Sequence, residues 1–321
     1  MGMLVEGRWL EDDHAQRNAA DGSFVRPTSQ FRSRVGRDRD AAYPAEPGRY
    51  HLFIAPSCPW AHRTAIARRV KGLDEIVGLT LADLPRSEGW TSSTGLDDLQ
   101  PVAGQFHLHR LYTAAQPDYT GRVTVPVLWD RRSRRIVNNE SAEILRIFNS
   151  GFTGLAADTI DLYPAPLRAE IDQVNEFVYE HINNGVYRSG FAKSQEAYAP
   201  ACRKVFSGLD QLELRLADQR YLVGNRLTEA DLRLFPTLVR FDAVYYSHFK
   251  CNLRRLEDYP HLSGYLRDLY ARPGFGDTVD IDAIKRGYYG GQPNLNPTGI
   301  VPLGPPLDFN RPHGRDALGP A

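Results

Sequence analysis

Two textures divide the chain. Residues 1–45 are polar and irregular and read as an arm. From Arg49 onward, short apolar runs alternate with one amphipathic segment. Tyr50 to Ala55 reads as a strand, Pro59 to Lys71 as a helix ending before Gly72, and Ile76 to Leu81 as a second strand. A long irregular stretch, Ala82 to Arg122, separates these from a hairpin of Val125 to Trp129 and Arg135 to Asn138. A helix follows from Ser141 to Phe148. The order β-α-β, insertion, β-β-α is thioredoxin-like, and we assign it residues 46–152.

After Gly151 the periodicity becomes helical. Leu167, Ile171, Val174, Val178 and Ile182 recur at spacings of 4, 3, 4 and 4, and Cys202, Val205, Leu209, Leu212 and Leu216 at 3, 4, 3 and 4. Thr228-Glu229-Ala230-Asp231 reads as a helix start. The Thr228 hydroxyl is expected to accept from the amide near Asp231, and the Asp231 carboxylate to reach back. A last helix is expected from about His261 to Ala271, before Pro273. Residues 153–280 therefore form an all-helical domain. The tail, 281–321, is rich in Gly, Pro and Asn and is expected to be extended over the surface or a cleft.

Composition narrows the function. Basic and acidic residues balance at 39 each, which leaves no net field to recruit nucleic acid or an anionic membrane. No run approaches the roughly 20 apolar residues of a membrane helix. The charged start, Met1 to Ala20, has no apolar signal core, so a cytoplasmic location is expected. Three cysteines make a disulfide framework unexpected. Cys202 lies in a buried stripe, and Cys251 has no local activating geometry. No metal is expected either, since no zinc-ligand spacing stands out.

Ser57-Cys58-Pro59-Trp60-Ala61-His62-Arg63 carries the chemistry. Proline is well tolerated at the first helical position, so Pro59 puts Cys58 at the cap between strand and helix. Unpaired amides and the positive helix end stabilise a thiolate there, lowering its pKa and making it nucleophilic at neutral pH. Ala61 holds the position where a redox pair would have its second cysteine, so a mixed disulfide at Cys58 must be resolved by an outside thiol. Val125-Pro126 interrupts a strand. A cis bond there would free the Val125 backbone for a peptide-like ligand. Asn139-Glu140-Ser141 opens a helix whose amides could hold a carboxylate while Glu140 holds an ammonium group, a fit to the γ-glutamyl end of glutathione. Ser141 alone would be read as an ordinary cap.

Cys58-Pro59-Trp60-Ala61-His62-Arg63-Thr64 resembles the glutathionyl-hydroquinone reductases, the Xi-class glutathione transferases. So do Gly121 to Asp130, Ile136 to Ser141, Asn183 to Tyr187, Leu227 to Asp231, Val239 to Asp242, His248 to Cys251 and Ile300 to Pro302. The match runs from about Gly22 to Asp308. It implies an α/β thioredoxin-like N-terminal domain plus an all-α glutathione-transferase-type C-terminal domain, in a homodimer. It implies reduction of a glutathionyl-hydroquinone by glutathione, with Cys58 as nucleophile and oxidised glutathione as by-product. Trp90, Arg110, Val125, Glu140 and Ser141 would bind glutathione. Tyr187, Tyr245 and Tyr288 would surround the quinol, with Tyr187 and Tyr288 catalytic. The chain departs from the family pattern at Gly287, Gly290 and Gly291, where histidine is common before the tyrosine pair and Ser-His after it, and at Leu232, where an aromatic is usual.

Two rival readings remain open. One is a conventional conjugating glutathione transferase, which needs Ser or Tyr rather than Cys to activate glutathione. The other is a non-catalytic thioredoxin-like redox sensor or interaction module.

Overall fold

The computed structural model describes residues 2–11, 18–38, 40–82, 88–97, 99–156 and 160–319. Parts of the expected arm and the end of the tail lie outside the described residues. The backbone divides into two compact units: Met1–Gln16 with Thr28–Ile160, and Arg17–Pro27 with Asp161–Ala321. The expected N-terminal arm is thus shared between them.

The first unit opens with an antiparallel hairpin, β1 (Met3–Val5) and β2 (Arg8–Leu10). β3 (Tyr50–Ile54) is buried at every position, as for a strand covered on both faces. α1 (Pro59–Val70) follows, then β4 (Val77–Leu81) parallel to β3. The insertion expected to be irregular holds a short pair, β5 (Thr91–Ser92) with β6 (Phe106–His107), and α2 (His109–Ala115). β7 (Val127–Asp130) and β8 (Arg135–Asn138) complete a sheet of order β4-β3-β7-β8, and α3 (Ser141–Ser150) follows. This is the thioredoxin-like order.

His51 of β3 is buried against β4. Its Nε2 lies 2.8 Å from the Thr80 hydroxyl, and a Cβ added at Gly78 would sit 2.4 Å from its Nδ1. Desolvation, with Arg131 nearby, pushes the imidazole down from 6.5 to about 4. The unfolded chain therefore binds this proton at a higher pH than the folded one. The stability held above pH 6.5 is lost as pH falls toward 4, by up to about 3 kcal/mol. Denaturant unfolding between pH 6.5 and 5 is expected to show that slope, and His51→Asn to reduce it by up to about one proton. An unchanged slope would exclude His51 as its source.

The second unit is helical among the described residues. α4 (Arg168–Val178) buries Ile171, Val174 and Val178. The periodic run then leaves the α path in a π-helical turn, Tyr179–Asn183, before α5 (Gly185–Gly190). α6 (Gln195–Asp218) buries Cys202, Val205, Leu209, Leu212 and Leu216 as expected of their spacing. α7 (Glu229–Arg240) begins at Thr228 with the expected capping box. The Thr228 carbonyl accepts the Asp231 amide, while the Thr228 hydroxyl and amide both donate to Asp231 Oδ2. Asp231 Oδ1 takes the Leu222 amide and the Tyr265 hydroxyl. Burial pushes this carboxyl up, and these donors oppose the shift.

A π-helical turn, Phe241–Tyr245, extends α7, and α8 (Pro260–Tyr270) follows. The tail does not start extended. Asp280 caps α9 (Ile281–Lys285) by accepting from the Ala283 amide at 2.8 Å, and buried Ile284 anchors it. A third π-helical turn, Arg286–Gly290, comes next. No helix among the described residues is long and apolar enough to cross a membrane.

Candidate active site

Cys58 is the N-cap of α1, with extended backbone (φ −82°, ψ 116°) and Pro59 behind it. Its amide donates to the Ala55 carbonyl at 2.9 Å, and its carbonyl accepts the His62 amide at 3.0 Å. These bonds fix the turn between β3 and α1. Cys58 is partly exposed, whereas Cys202 and Cys251 are buried, and none of the three is in a disulfide. Burial pushes the Cys251 thiol up to about 12, so it stays protonated at neutral pH. Ala61, one turn along α1, is fully buried.

The Val125–Pro126 bond is cis, and Val125 precedes the ladder residues of β7. Cys58 Sγ lies 3.6 Å from the Val125 carbonyl oxygen, placed to donate to it. The structure thus joins two sequence-separated candidates. The cap of α3 is Glu140, not Ser141. Glu140 has extended geometry, and its Oε1 accepts from the Ala142 amide at 3.2 Å. Its Oε2 accepts from the Ser29 hydroxyl at 3.0 Å. Ser141 is instead the first helical residue, and it is buried.

Trp90 and Arg110 belong to the insertion. Trp90 follows Gly89, whose φ of +80° and approach to Trp9 require glycine: a Cβ there would lie 2.7 Å from the Trp9 ring. The Trp90 carbonyl accepts the Leu108 amide. Arg110 donates to the Gln100 carbonyl at 2.5 Å and lies 5.5 Å from the Phe106 ring centre.

In the second unit the three candidate tyrosines meet at their hydroxyls. Tyr288 Oη lies 2.7 Å from Tyr187 Oη and 2.9 Å from Tyr245 Oη, bridging residues 101 and 43 positions away. Tyr245 and Tyr288 sit within π-helical turns, and Tyr187 stands soon after the turn Tyr179–Asn183. Such turns widen a helix by one residue and often re-aim a side chain at a functional site. Tyr187 is partly exposed, Tyr288 is 3% exposed and Tyr245 is fully buried. Burial, aided by the neighbouring tyrosines, raises Tyr245 and Tyr288 well above the usual phenol value. Both are protonated donors at neutral pH.

Arg26 was not singled out by the sequence. Its guanidinium lies 4.8 Å from the Tyr187 ring centre and 5.3 Å from that of Phe24, and its Nε donates to Asn184 Oδ1 at 2.8 Å. The sequence offered no signal for this contact beyond an arginine in a polar arm. The histidine expected beside the tail tyrosines is Gly287 here. An imidazole reaches them from elsewhere: His248 packs 4.6 Å from the Tyr289 ring and 6.4 Å from the Tyr288 ring, and is hydrogen-bonded to Gln292.

A thioredoxin-like unit with a cysteine at the first helix, joined to an all-helical unit, is the architecture of glutathione transferases. Residues 57–150 match the glutathione S-transferase N-terminal domain and residues 195–268 the C-terminal domain. The chain is 51% identical over 308 residues to the glutathionyl-hydroquinone reductase PcpF of Sphingobium chlorophenolicum, spanning 95% of this chain and 96% of that protein. It superposes on the Xi-class transferase of Natrialba magadii with a TM-score of 0.90 at 44% identity, covering 99% and 98% of the two chains. The glutathione-bound structure of YqjG, a glutathione transferase homologue from Escherichia coli K-12, gives 0.84 at 46% identity, covering 98% and 99%. The chain belongs to the glutathionyl-hydroquinone reductases, the Xi class of glutathione transferases.

Proposed function

We propose that this protein uses glutathione to reduce glutathionyl-hydroquinones to hydroquinones, through a mixed disulfide on Cys58. The observation that carries the reading is Cys58 itself. It is partly exposed at the positive end of α1, 3.6 Å from a backbone carbonyl outside the sheet, with buried Ala61 in place of a resolving thiol. A thiolate is favoured at that helix end, and no internal cysteine on α1 competes for the product disulfide.

The substrate sets a demand on the second unit. A thiolate attacking the glutathionyl sulfur must expel an aromatic carbon, and a bare aryl anion is a poor leaving group. The ring therefore takes a proton at the sulfur-bearing carbon, giving a keto tautomer. Cys58 then forms the S–S bond as the C–S bond breaks, and the electron pair returns through the ring to oxygen. Hydroquinone leaves and Cys58 carries glutathione. The thiolate of a second glutathione attacks that disulfide, regenerating Cys58 and releasing oxidised glutathione. The Tyr187, Tyr288 and Tyr245 hydroxyls supply donors and a relay for the quinol oxygens. In our reading Tyr187, the most accessible, meets the ring, and Arg26 steadies it.

Val125, Glu140 and Ser141 would hold the γ-glutamyl and cysteinyl backbone of glutathione, with Trp90 against it and Arg110 toward a carboxylate. For Arg110 this requires its Gln100 contact to open. The family resemblance adds a homodimer; a cytoplasmic location is part of the same proposal.

The test is product analysis. With a glutathionyl-hydroquinone and free glutathione, the protein should release hydroquinone and oxidised glutathione over many turnovers. Intact mass after substrate alone should rise by one glutathionyl group, mapped to Cys58. Adduct formation without turnover would favour a redox sensor. Strong conjugation of an aryl halide with no reduction would favour a conventional transferase.

A further inference from the structure

One cluster in the first unit plays no part in this chemistry. Glu88, His107 and His109 come together where the 88–90 turn meets the end of β6 and the start of α2. One ligand atom from each lies within 4.8 Å of the others. His109 Nε2 is 2.8 Å from Glu88 Oε2. His107 ends β6 and His109 opens α2, with Leu108 between them in helical backbone (φ −64°, ψ −21°), and their rings stack at 5.6 Å. The sequence reading passed over this pair because its third partner lies about twenty residues earlier, beyond an interval with no regular pattern.

We propose that Glu88, His107 and His109 form a binding site for a borderline divalent metal ion, of the Zn²⁺ class. The donors are chemically matched: two imidazoles and a carboxylate suit zinc, cobalt or nickel, with water filling the remaining positions. Magnesium and calcium prefer all-oxygen shells and fit poorly. The donors need draw in only modestly, because tetrahedral coordination sets ligand atoms about 3.4 Å apart. Side chains on two short elements and a turn can make that adjustment.

Two further observations support the site. His107 Nδ1 is buried and makes no hydrogen bond among the described residues, so this imidazole keeps unused coordinating capacity. Trp9 stacks on His109 at 5.4 Å, holding that ring in place from the side of the hairpin. A bound ion would tie the turn that carries Trp90 to β6 and α2, bracing part of the insertion.

The experiment uses the full-length chain with Cys58→Ser, which removes the exposed thiolate as a competing ligand. Zn²⁺ titration by calorimetry should give one site, and Co²⁺ should give visible d–d bands without the near-ultraviolet thiolate charge-transfer band. Zn²⁺ at 100 times the dissociation constant should also raise the melting temperature. His107→Ala, made in the same background, should weaken binding at least about 10-fold. The double variant His107→Ala/His109→Ala should abolish it, and its melting temperature without metal checks its folding. The proposal is overturned if Cys58→Ser binds no stoichiometric metal. It is equally overturned if His107→Ala, still folded, binds as tightly as its parent.

Discussion

Cys58→Ala is expected to lower steady-state reduction of a glutathionyl-hydroquinone by about three orders of magnitude or more, on the scale seen when other enzymes lose a covalent nucleophile. The loss should fall in kcat, because the residues proposed to hold the glutathionyl moiety remain and substrate affinity should change little. The variant should melt near the parent temperature, since Cys58 is partly exposed and its cap bonds are made by backbone atoms rather than by sulfur. Cys58→Ser separates chemistry from shape. A serine oxygen can hold the same place and share the helix end, but it cannot form a disulfide with glutathione. Reduction should be lost to a similar extent, while weak conjugation of an electrophilic aryl halide appears as bound glutathione itself becomes the nucleophile. Neither Cys202 nor Cys251 can substitute, being buried, and Cys251 stays protonated at neutral pH. Near-normal turnover by either variant would end the assignment of Cys58.

What the sequence made legible was local. Cys58-Pro59 marks a cap because proline fixes the helix start within one residue, and the Cys202 stripe marks a buried face because it repeats every turn. Leu227-Thr228 and Asp231 mark a helix start because the capping box they form is local. Where two local solutions compete, the sequence is less decisive. Glu140 displaces Ser141 as the cap: it has the extended backbone of a cap, and its Oε1 accepts from the Ala142 amide two residues on. The tail misled for a related reason. Its Gly, Pro and Asn content hides a single turn and a half of helix set by Asp280 and Ile284.

Long-range features left no local trace. The hydroxyl cluster joins residues from three elements, and its geometry depends on three one-residue widenings that hydropathy cannot register. Family resemblance supplied the identities Tyr187, Tyr245 and Tyr288, but not their hydrogen-bond order. Arg26 and the Glu88 cluster were missed because each needs a partner brought by folding: Asn184 and Tyr187 for the first, His107 and His109 for the second.

That hydrogen-bond order leads to the second large effect, from Tyr288→Phe. Tyr288 hydrogen-bonds both other members of the trio, so removing its oxygen takes away both of those hydroxyl contacts. The ring is retained, and with it the packing against Phe249 at 5.6 Å. The change should therefore slow the first half-reaction, where the substrate ring must gain a proton and the quinol oxygen must accept charge, by about 10²-fold. The second half-reaction moves no proton onto carbon. Glutathione attack on a preformed Cys58–glutathione disulfide should proceed at nearly the parent rate. Rapid-mixing experiments that time hydroquinone release separately from oxidised glutathione would show the split. A pH profile adds a second readout. Burial holds Tyr245 and Tyr288 well above the usual phenol range, so no loss of activity from their ionisation is expected between pH 6 and about 9. Equal slowing of both half-reactions would point instead to a general distortion of the helical unit. An undiminished first step would remove Tyr288 from the proton path and leave Tyr187 to act alone.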